Sequence, residues 1–438
     1  MDTDRRILYS FGGLNLPFMR NASFWWVMLL IMLLIDLYIF IAIRSSLFAY
    51  SSQKNRGLFA LIYWSVTFLA LGTLLLIPYL PDHDAGRLRR SVIFTIIFAL
   101  FLAKILAALF FLIDDIRRLA QWVGGKLFSS VNNEVGEVSG ADAETITRSN
   151  FLTWLGVAAG GTIFSSFIFG MTNKYNYKIR KIRLTYPNLP EGFRGFRMLQ
   201  ISDIHSGSFS NKAAVNRGID MILGEKPDLI VFTGDLVNNI ASEMEHYIDV
   251  FSRLKAPMGV FSTLGNHDYG DYHHWKDGAE KTANLERLKQ IHGQMGWRLL
   301  LDEHLPLERN GSQIGLIGVQ NISGKARFHS YGNMAKAAEG AARYPFKILL
   351  SHDPSHWDAE VNTRYPDIDL MLSGHTHGMQ FGVELPWFRW SPVQYVYKQW
   401  AGLYEKGHQK LYVNRGFGFI GYPGRVGILP EITIFEFQ

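Results

Sequence analysis

Residues 24–43, 57–80, 91–113 and 151–171 form four long apolar runs in a chain of 438 residues. Each approaches the ~20 residues that a helix needs to cross a hydrocarbon core of ~30 Å. The first three are rich in Leu, Ile and Phe all round and lack the polar face of an amphipathic surface helix. Short basic connectors separate them, which buried helices of a large soluble core would not require. A multi-pass membrane domain over residues 1–173 is therefore expected. Trp25, Trp26, Tyr63, Trp64 and Tyr79 suit interfacial positions. Overall, 48% of the residues are hydrophobic and 19% charged, apolar-rich for a soluble enzyme.

The fourth run contains Gly156 and Gly160, a spacing that lets helices approach closely. It follows Arg148-Ser149-Asn150-Phe151-Leu152, which looks like a twin-arginine export signal missing one arginine. Its position behind three other spans favours a fourth membrane helix over a cleaved signal. The polar stretch 128–150 reads as a flexible linker. Asp36 and Lys104 lie at similar depth in the first and third runs, and a lone charge there is costly. A buried ion pair between them is the expected arrangement, with a proton path as the alternative.

With an even number of spans, both termini face the same side. That side carries Arg5, Arg6, Arg20, Arg87, Arg89, Arg90, Lys174, Lys178, Arg180 and Lys181. The other side carries Arg44, Lys54, Arg56, Arg117, Arg118, Lys126 and Arg148. The bias points to a cytoplasmic C-terminal part in an inner cell membrane, while the export-like stretch argues the opposite. The net charge of +6 is modest. The absence of cysteine excludes disulfides, thiolate metal sites and cysteine nucleophiles.

Beyond residue 178 the chain alternates short β-branched runs with polar, helix-compatible segments, the pattern of an α/β domain over 178–438. Five runs end in polar residues. MLQIS leads into Asp203 and His205, and DLIVFT into Gly234-Asp235. VFSTL leads into Gly265-Asn266-His267-Asp268, KILLS into His352, and DLMLS into Gly374-His375-Thr376-His377. Ligands bind at the carboxyl ends of strands in open α/β sheets, so these residues are expected together at one sheet edge. Two carboxylates, one amide and four imidazoles suit Mn, Fe, Zn or Ni rather than calcium. Seven ligands are too many for one ion and suit two ions sharing a carboxylate. In extended chain His375 and His377 point the same way, so each can reach a different ion.

The ordered set D-x-H, G-D, G-N-H-D, H and G-H-x-H resembles the calcineurin-like metallophosphoesterases over about 260 residues. It is similar to bacterial membrane-attached members, some of which act on UDP-2,3-diacylglucosamine in lipid A synthesis. The resemblance implies an α/β sandwich phosphoesterase domain behind the transmembrane helical bundle. It implies that Asp203, His205 and His377 bind one divalent ion, and Asn266, His352 and His375 a second, with Asp235 bridging. It also makes His267 the general acid or leaving-group stabiliser, with Asp268 holding its tautomer. Many members carry an acidic residue where this chain has Asn238.

Further candidates are His273, with His274, as pocket-lining residues and Arg415 as a phosphate contact through its guanidinium fork. His356 reads as structural. The aromatic segment 386–400, with Arg389 and Lys398, suits a lid at the membrane interface or an acyl-chain grip, or else an aromatic patch beneath the active-site loop. The expected function is hydrolysis of a lipid-linked phosphate ester or pyrophosphate by a membrane-anchored enzyme with two metal ions, manganese among the candidates. Its partners would be this substrate and membrane lipids, with no nucleic acid. The alternatives are a soluble phosphoester with the helices as anchor, and a non-catalytic sensor or transporter.

Overall fold

Uninterrupted Leu, Ile and Phe drive four helices, α1 (Ala22–Ser46), α2 (Gln53–Leu76), α3 (Asp84–Phe128) and α4 (Arg148–Gly170), each long and apolar enough to cross a membrane. The computed structural model describes residues 22–77, 84–128 and 148–438. Most of the expected linker, Tyr79, Arg5, Arg6 and Arg20 lie outside them, as do the side chains of Trp25 and Arg87. The described residues form two compact units divided between Ser166 and Phe167, so the last turn of α4 belongs to the second.

In the first unit α3 runs 45 residues, well beyond the apolar stretch 91–113. Asp114 pairs with Arg117 at 2.7 Å and Arg118 at 2.8 Å, three and four residues on, which supports helix through charged sequence. A hydropathy boundary marks the end of the apolar run, and the backbone hydrogen bonds continue past it. Asp36 and Lys104 do meet, at 2.5 Å, with Asp36 fully buried. Thr67 and Tyr63 of α2 also donate to the same Asp36 Oδ1, at 2.9 and 2.8 Å. Tyr63, expected at the interface, is instead half-buried in this polar knot. A Cβ on Gly160 would lie 2.6 Å from the Ala103 carbonyl oxygen, and one on Gly156 2.9 Å from Phe111. The two glycines thus let α4 approach α3 closely.

The second unit is a sandwich of two six-stranded sheets. The first has the order β1-β14-β2-β3-β4-β5. Its strands are β1 (Lys178–Leu184), β2 (Arg197–Ile201), β3 (Leu229–Thr233), β4 (Val260–Thr263), β5 (Arg298–Leu299) and β14 (Glu431–Phe437). The second contains β6 (Glu303–Arg309), β7 (Ser312–Gly318), β8 (Lys347–Leu350), β9 (Leu370–Ser373), β12 (Gly402–Lys406) and β13 (Gln409–Val413). Its order is β12-β13-β9-β8-β7-β6, and β10 (Val383–Leu385) with β11 (Phe388–Trp390) form a separate hairpin.

Alternation explains why the five site-bearing strands read as continuous apolar runs. In β3, Leu229 and Val231 face the second sheet, while Ile230 and Phe232 face outward beneath α5 (Lys212–Gly224) and α6 (Gly278–Gln294). In β8, Ile348 and Leu350 enter the inter-sheet core, and Leu349 packs on the opposite face with Trp357 and Val361. Both faces are covered, so neither can be polar. Each such side chain contributes roughly 1.5–3 kcal/mol by burial.

The expectation of a single sheet edge needs correction. β2, β3 and β4 belong to one sheet, and β8 and β9 to the other. Apolar periodicity reports that a strand is buried on two faces, and says nothing about its partner. The sandwich implied by the family resemblance is the observed architecture.

Candidate metal centre

The parallel runs β2-β3-β4 and β8-β9 direct their carboxyl ends to the same place, and two ligand groups converge there. Asp203, His205 and His377 form one, and Asp235, His352 and His375 the other. In each group the candidate ligand atoms all lie within 4.8 Å of one another. His352 Nε2 stands 3.1 Å and His205 Nε2 3.6 Å from the same oxygen, Asp235 Oδ2, which therefore lies between the groups. Asn266 Oδ1 lies 2.8 Å from His375 Nδ1, beside the second group.

The turns carrying these residues are strained. Asp203, His205, Asp235, His375 and His377 all have positive φ, between 48° and 73°. Non-glycine residues in this region cost of order 1–3 kcal/mol each and gather at functional sites. Cross-sheet hydrogen bonds hold them, since the Asp203 carboxylate accepts from the backbone N–H of His375 at 2.9 and 3.0 Å. The motif glycines leave room. A Cβ on Gly374 would stand 2.1 Å from the Asp203 carboxylate, and one on Gly265 2.2 Å from that of Asp235.

Surrounding groups orient the imidazoles. His352 Nδ1 donates to the Thr233 carbonyl at 2.7 Å, which aims Nε2 at Asp235. Burial would lower His352, but the facing Asp235 pushes it up to about 10, so its Nε2 carries a proton that a bound cation would displace. His375 Nε2 meets the Tyr397 hydroxyl at 2.8 Å, and that hydroxyl reaches Asp353 at 3.4 Å. A hydroxyl that donates to Asp353 accepts from His375 Nε2–H and frees Nδ1 for a ligand. Burial pushes His205 down to about 3 and His375 to about 4, and holds His377 well below its usual value. Neutral imidazoles with available lone pairs result. Burial pushes Asp203 up to about 6. Burial would also raise Asp235, but the facing His352 and His267 hold it well below the usual carboxylate range.

These residues fit divalent ions. His205 Nε2 and His377 Nε2 are buried nitrogens with no hydrogen-bond partner among the described residues, aimed among carboxylates. Such orphaned acceptors are costly unless a cation meets them. The mixed nitrogen and oxygen donors suit transition ions.

Other expected site residues stand differently. His267 is half-exposed beside His205, its ring 4.9 Å away, and its Nδ1 donates to the Asn238 carbonyl at 2.6 Å. Asp268, expected to hold that tautomer, does not do so. Its fully buried carboxylate accepts instead from the backbone N–H groups of Gly265, Asp235 and Leu236, because those turn amides have no strand partner. Arg415 is not open to a phosphate either. It is buried between Glu431 and Glu384, 2.5 Å from each, where two carboxylates take its two terminal nitrogens. His273 and His274 are exposed, and His273 packs edge-on against Trp275. The same loop brings Tyr272 to the site instead, where its hydroxyl accepts from Asn266 at 2.9 Å. Asn238 turns its side chain to Ser208, at 3.0 Å, and serves the site through its carbonyl. His356 is buried between Ser351 and Glu360, as a structural residue.

Arg425 escaped the sequence reading, whereas Tyr397 lies within the aromatic segment 386–400 and Asp353 directly follows His352. Fully buried Arg425 donates to the carbonyls of Arg415, Gly416 and Gly418 and lies 3.3 Å from His377 Nδ1, fixing that loop behind the first group. Burial lowers its pKa to about 9.

Such a site, on strand ends of an α/β sandwich joined to four membrane-crossing helices, defines a membrane-associated, metal-dependent phosphoester hydrolase. Residues 19–174 match the family described as "Probable Calcineurin-like phosphoesterase, transmembrane domain", and residues 196–379 match "Calcineurin-like phosphoesterase". The chain is 33% identical over 257 residues to the uncharacterized metallophosphoesterase YkuE of Bacillus subtilis, covering 57% of this chain and 82% of that one. It belongs to the calcineurin-like metallophosphoesterases. It is 28% identical over 299 residues to the phosphodiesterase YaeI of Escherichia coli, covering 66% of this chain and 99% of that one. A transmembrane protein with metallophosphoesterase domain from Danio rerio is 29% identical over 274 residues, 61% of this chain and 59% of that one. The match thus spans less than two thirds of the fish protein.

Proposed function

We propose that this chain hydrolyses a lipid-linked phosphate diester or pyrophosphate, of the kind exemplified by UDP-2,3-diacylglucosamine. A membrane domain over residues 1–173 would hold a catalytic domain over 178–438 on the cytoplasmic face of an inner cell membrane. The observation that carries the lipid assignment is the seating of the last turn of α4. Phe167 stacks on Phe381 at 5.2 Å, and Gly170 accepts from the backbone N–H of Arg425 at 2.9 Å. The Arg425 side chain in turn braces the loop beside His377. The end of a membrane-crossing helix is thus two contacts from the ligand groups, close to where a lipid phosphate would lie. Similarity to a protein named as a phosphodiesterase favours a diester or pyrophosphate over a monoester.

In this reading Asp203, His205 and His377 hold one divalent ion, Asn266, His352 and His375 a second, and Asp235 both, with Mn, Fe, Zn and Ni as candidates. Divalent ions held there would stabilise phosphoryl oxygens and make a water available as nucleophile near neutral pH. His267, braced through Nδ1 by the Asn238 carbonyl, presents Nε2 to protonate the leaving oxygen. Asp268 positions the turn that carries both Asn266 and His267. The test compares kcat/KM for a detergent-solubilised lipid pyrophosphate with that for an aryl phosphate. The lipid should be preferred. Equal or better turnover of the aryl phosphate would refute the lipid assignment, and no turnover of either would refute hydrolysis.

A further inference from the structure

The hairpin β10–β11 is turned inside out relative to an ordinary surface ribbon. Its pairs are Val383 with Trp390, Glu384 with Arg389, and Leu385 with Phe388. Alternation puts Val383, Leu385, Phe388 and Trp390 on one face, and Glu384 and Arg389 on the other. The charged face is the one bound to the protein. Glu384 accepts from Arg180 and Arg415, each at 2.5 Å. Arg389 donates to the Ala401 carbonyl at 2.5 Å and lies over the Trp400 ring. The apolar face is left outside. Val383, Leu385 and Phe388 are each more than 40% exposed, and Trp387 at the tip is 82% exposed. A contiguous exposed apolar patch on a soluble surface marks an interaction site.

Beside this face opens a cavity of about 710 Å³, lined by Lys178, Arg180 and Arg389, the carboxylate of Glu384 and the hairpin's Trp387 and Phe388. Its lining thus carries a net charge of +2, from three cations and one acid. Glu384 is already held by two guanidiniums, and Lys178 is exposed. The hairpin also adjoins the last turn of α4, which belongs to the same unit. Phe381, two residues before the hairpin, stacks on Phe167 in the last turn of α4 and lies 6.4 Å from Trp390. Lys178 follows Gly170 by eight residues.

From this geometry we propose that the hairpin is an interfacial anchor. Its apolar face immerses in the bilayer surface while the cavity takes the headgroup of an anionic phospholipid. Aromatic and aliphatic side chains at the acyl boundary, with cations at headgroup level, are the composition that binding at such a surface selects. The anchor would hold the centre's mouth at the membrane whichever phosphoester is cleaved.

The chain has no cysteine, so Trp387→Cys supplies a sole thiol for a nitroxide. The full-length protein is reconstituted in phosphatidylcholine vesicles with or without phosphatidylglycerol, and Glu191→Cys, 83% exposed, serves as the water-exposed reference. With phosphatidylglycerol present, collisions of the 387 label with a water-soluble nickel complex should fall several-fold below the reference, while collisions with oxygen rise. Without it the protection should weaken, and Lys178→Glu should abolish the difference between the two lipids. Water exposure equal to the reference, or equal immersion in both lipids, overturns the proposal. So does an equal shift in detergent on adding inorganic phosphate, which would make the cavity a site for the free anion. Aryl phosphate hydrolysis by the same labelled protein reports on the metal centre separately.

Discussion

His267 occupies a half-exposed turn with one ring nitrogen fixed to a backbone carbonyl and the other free toward the cleft. A residue so placed can move a proton without holding a metal. His267→Gln is therefore expected to keep the metal content of the wild type and lose about 10²–10⁴-fold in turnover. The loss should shrink for a nitrophenyl ester, whose leaving group needs little protonation. Metal analysis with kinetics on two leaving groups checks this, and loss of metal in the variant would make His267 a ligand support. Arg415 belongs to stability instead. Burial would raise the Glu431 carboxyl, but Arg415 holds it below the usual range. Its contribution to stability is thus present above the ordinary carboxylate pKa and lost as pH falls through the depressed value. Arg415→Met leaves Glu431 with Arg180 at 3.4 Å and the Tyr412 and Thr433 hydroxyls, so the cost should stay below the about 3–5 kcal/mol of a wholly unpaired buried charge. With Glu431 then less depressed, the loss of stability on acidification should be smaller than in the wild type. Melting curves across pH read the difference.

Among the elements, the first three helices share one polar knot in an otherwise apolar bundle. Asp36 of α1, Tyr63 and Thr67 of α2 and Lys104 of α3 all meet at Asp36 Oδ1. Asp36→Asn and Lys104→Met should each lower the melting temperature in detergent, because each leaves a buried charge alone. The double variant should recover part of the loss, and additive losses would contradict a direct pairing. That two ionisable residues inside spans must meet could be read from depth and the cost of a lone charge. Tyr63 and Thr67 could not be read, because a hydroxyl in an apolar run is as compatible with an interface as with an interior partner. Only the packing of α2 on both neighbours decides.

At the scale of the whole second unit, the candidate ligands come from both sheets. Asp203, Asp235 and Asn266 follow strands of the first, and His352, His375 and His377 follow strands of the second. Bound ions would tie the sheets together, so chelation should lower the melting temperature and added manganese should restore it. Binding at about a hundredfold excess over Kd stabilises by about 2.7 kcal/mol. Asp235→Ala, lacking the shared carboxylate, should bind neither ion and show no such response. A melting temperature indifferent to chelator in the wild type would contradict this bridging. By itself the sequence determined the apolar helices, the buried strands and the polar residues at their ends. Those follow from local burial and spacing, which the order of residues records. Tertiary structure decided that two sheets share the site and that Arg415 is consumed by Glu431 and Glu384. It also decided that Asp268 serves turn amides, and that Arg425 and Tyr397 stand behind the ligands. These depend on which distant segments pack together, and no local pattern encodes the partner of a buried charge or an unpaired amide.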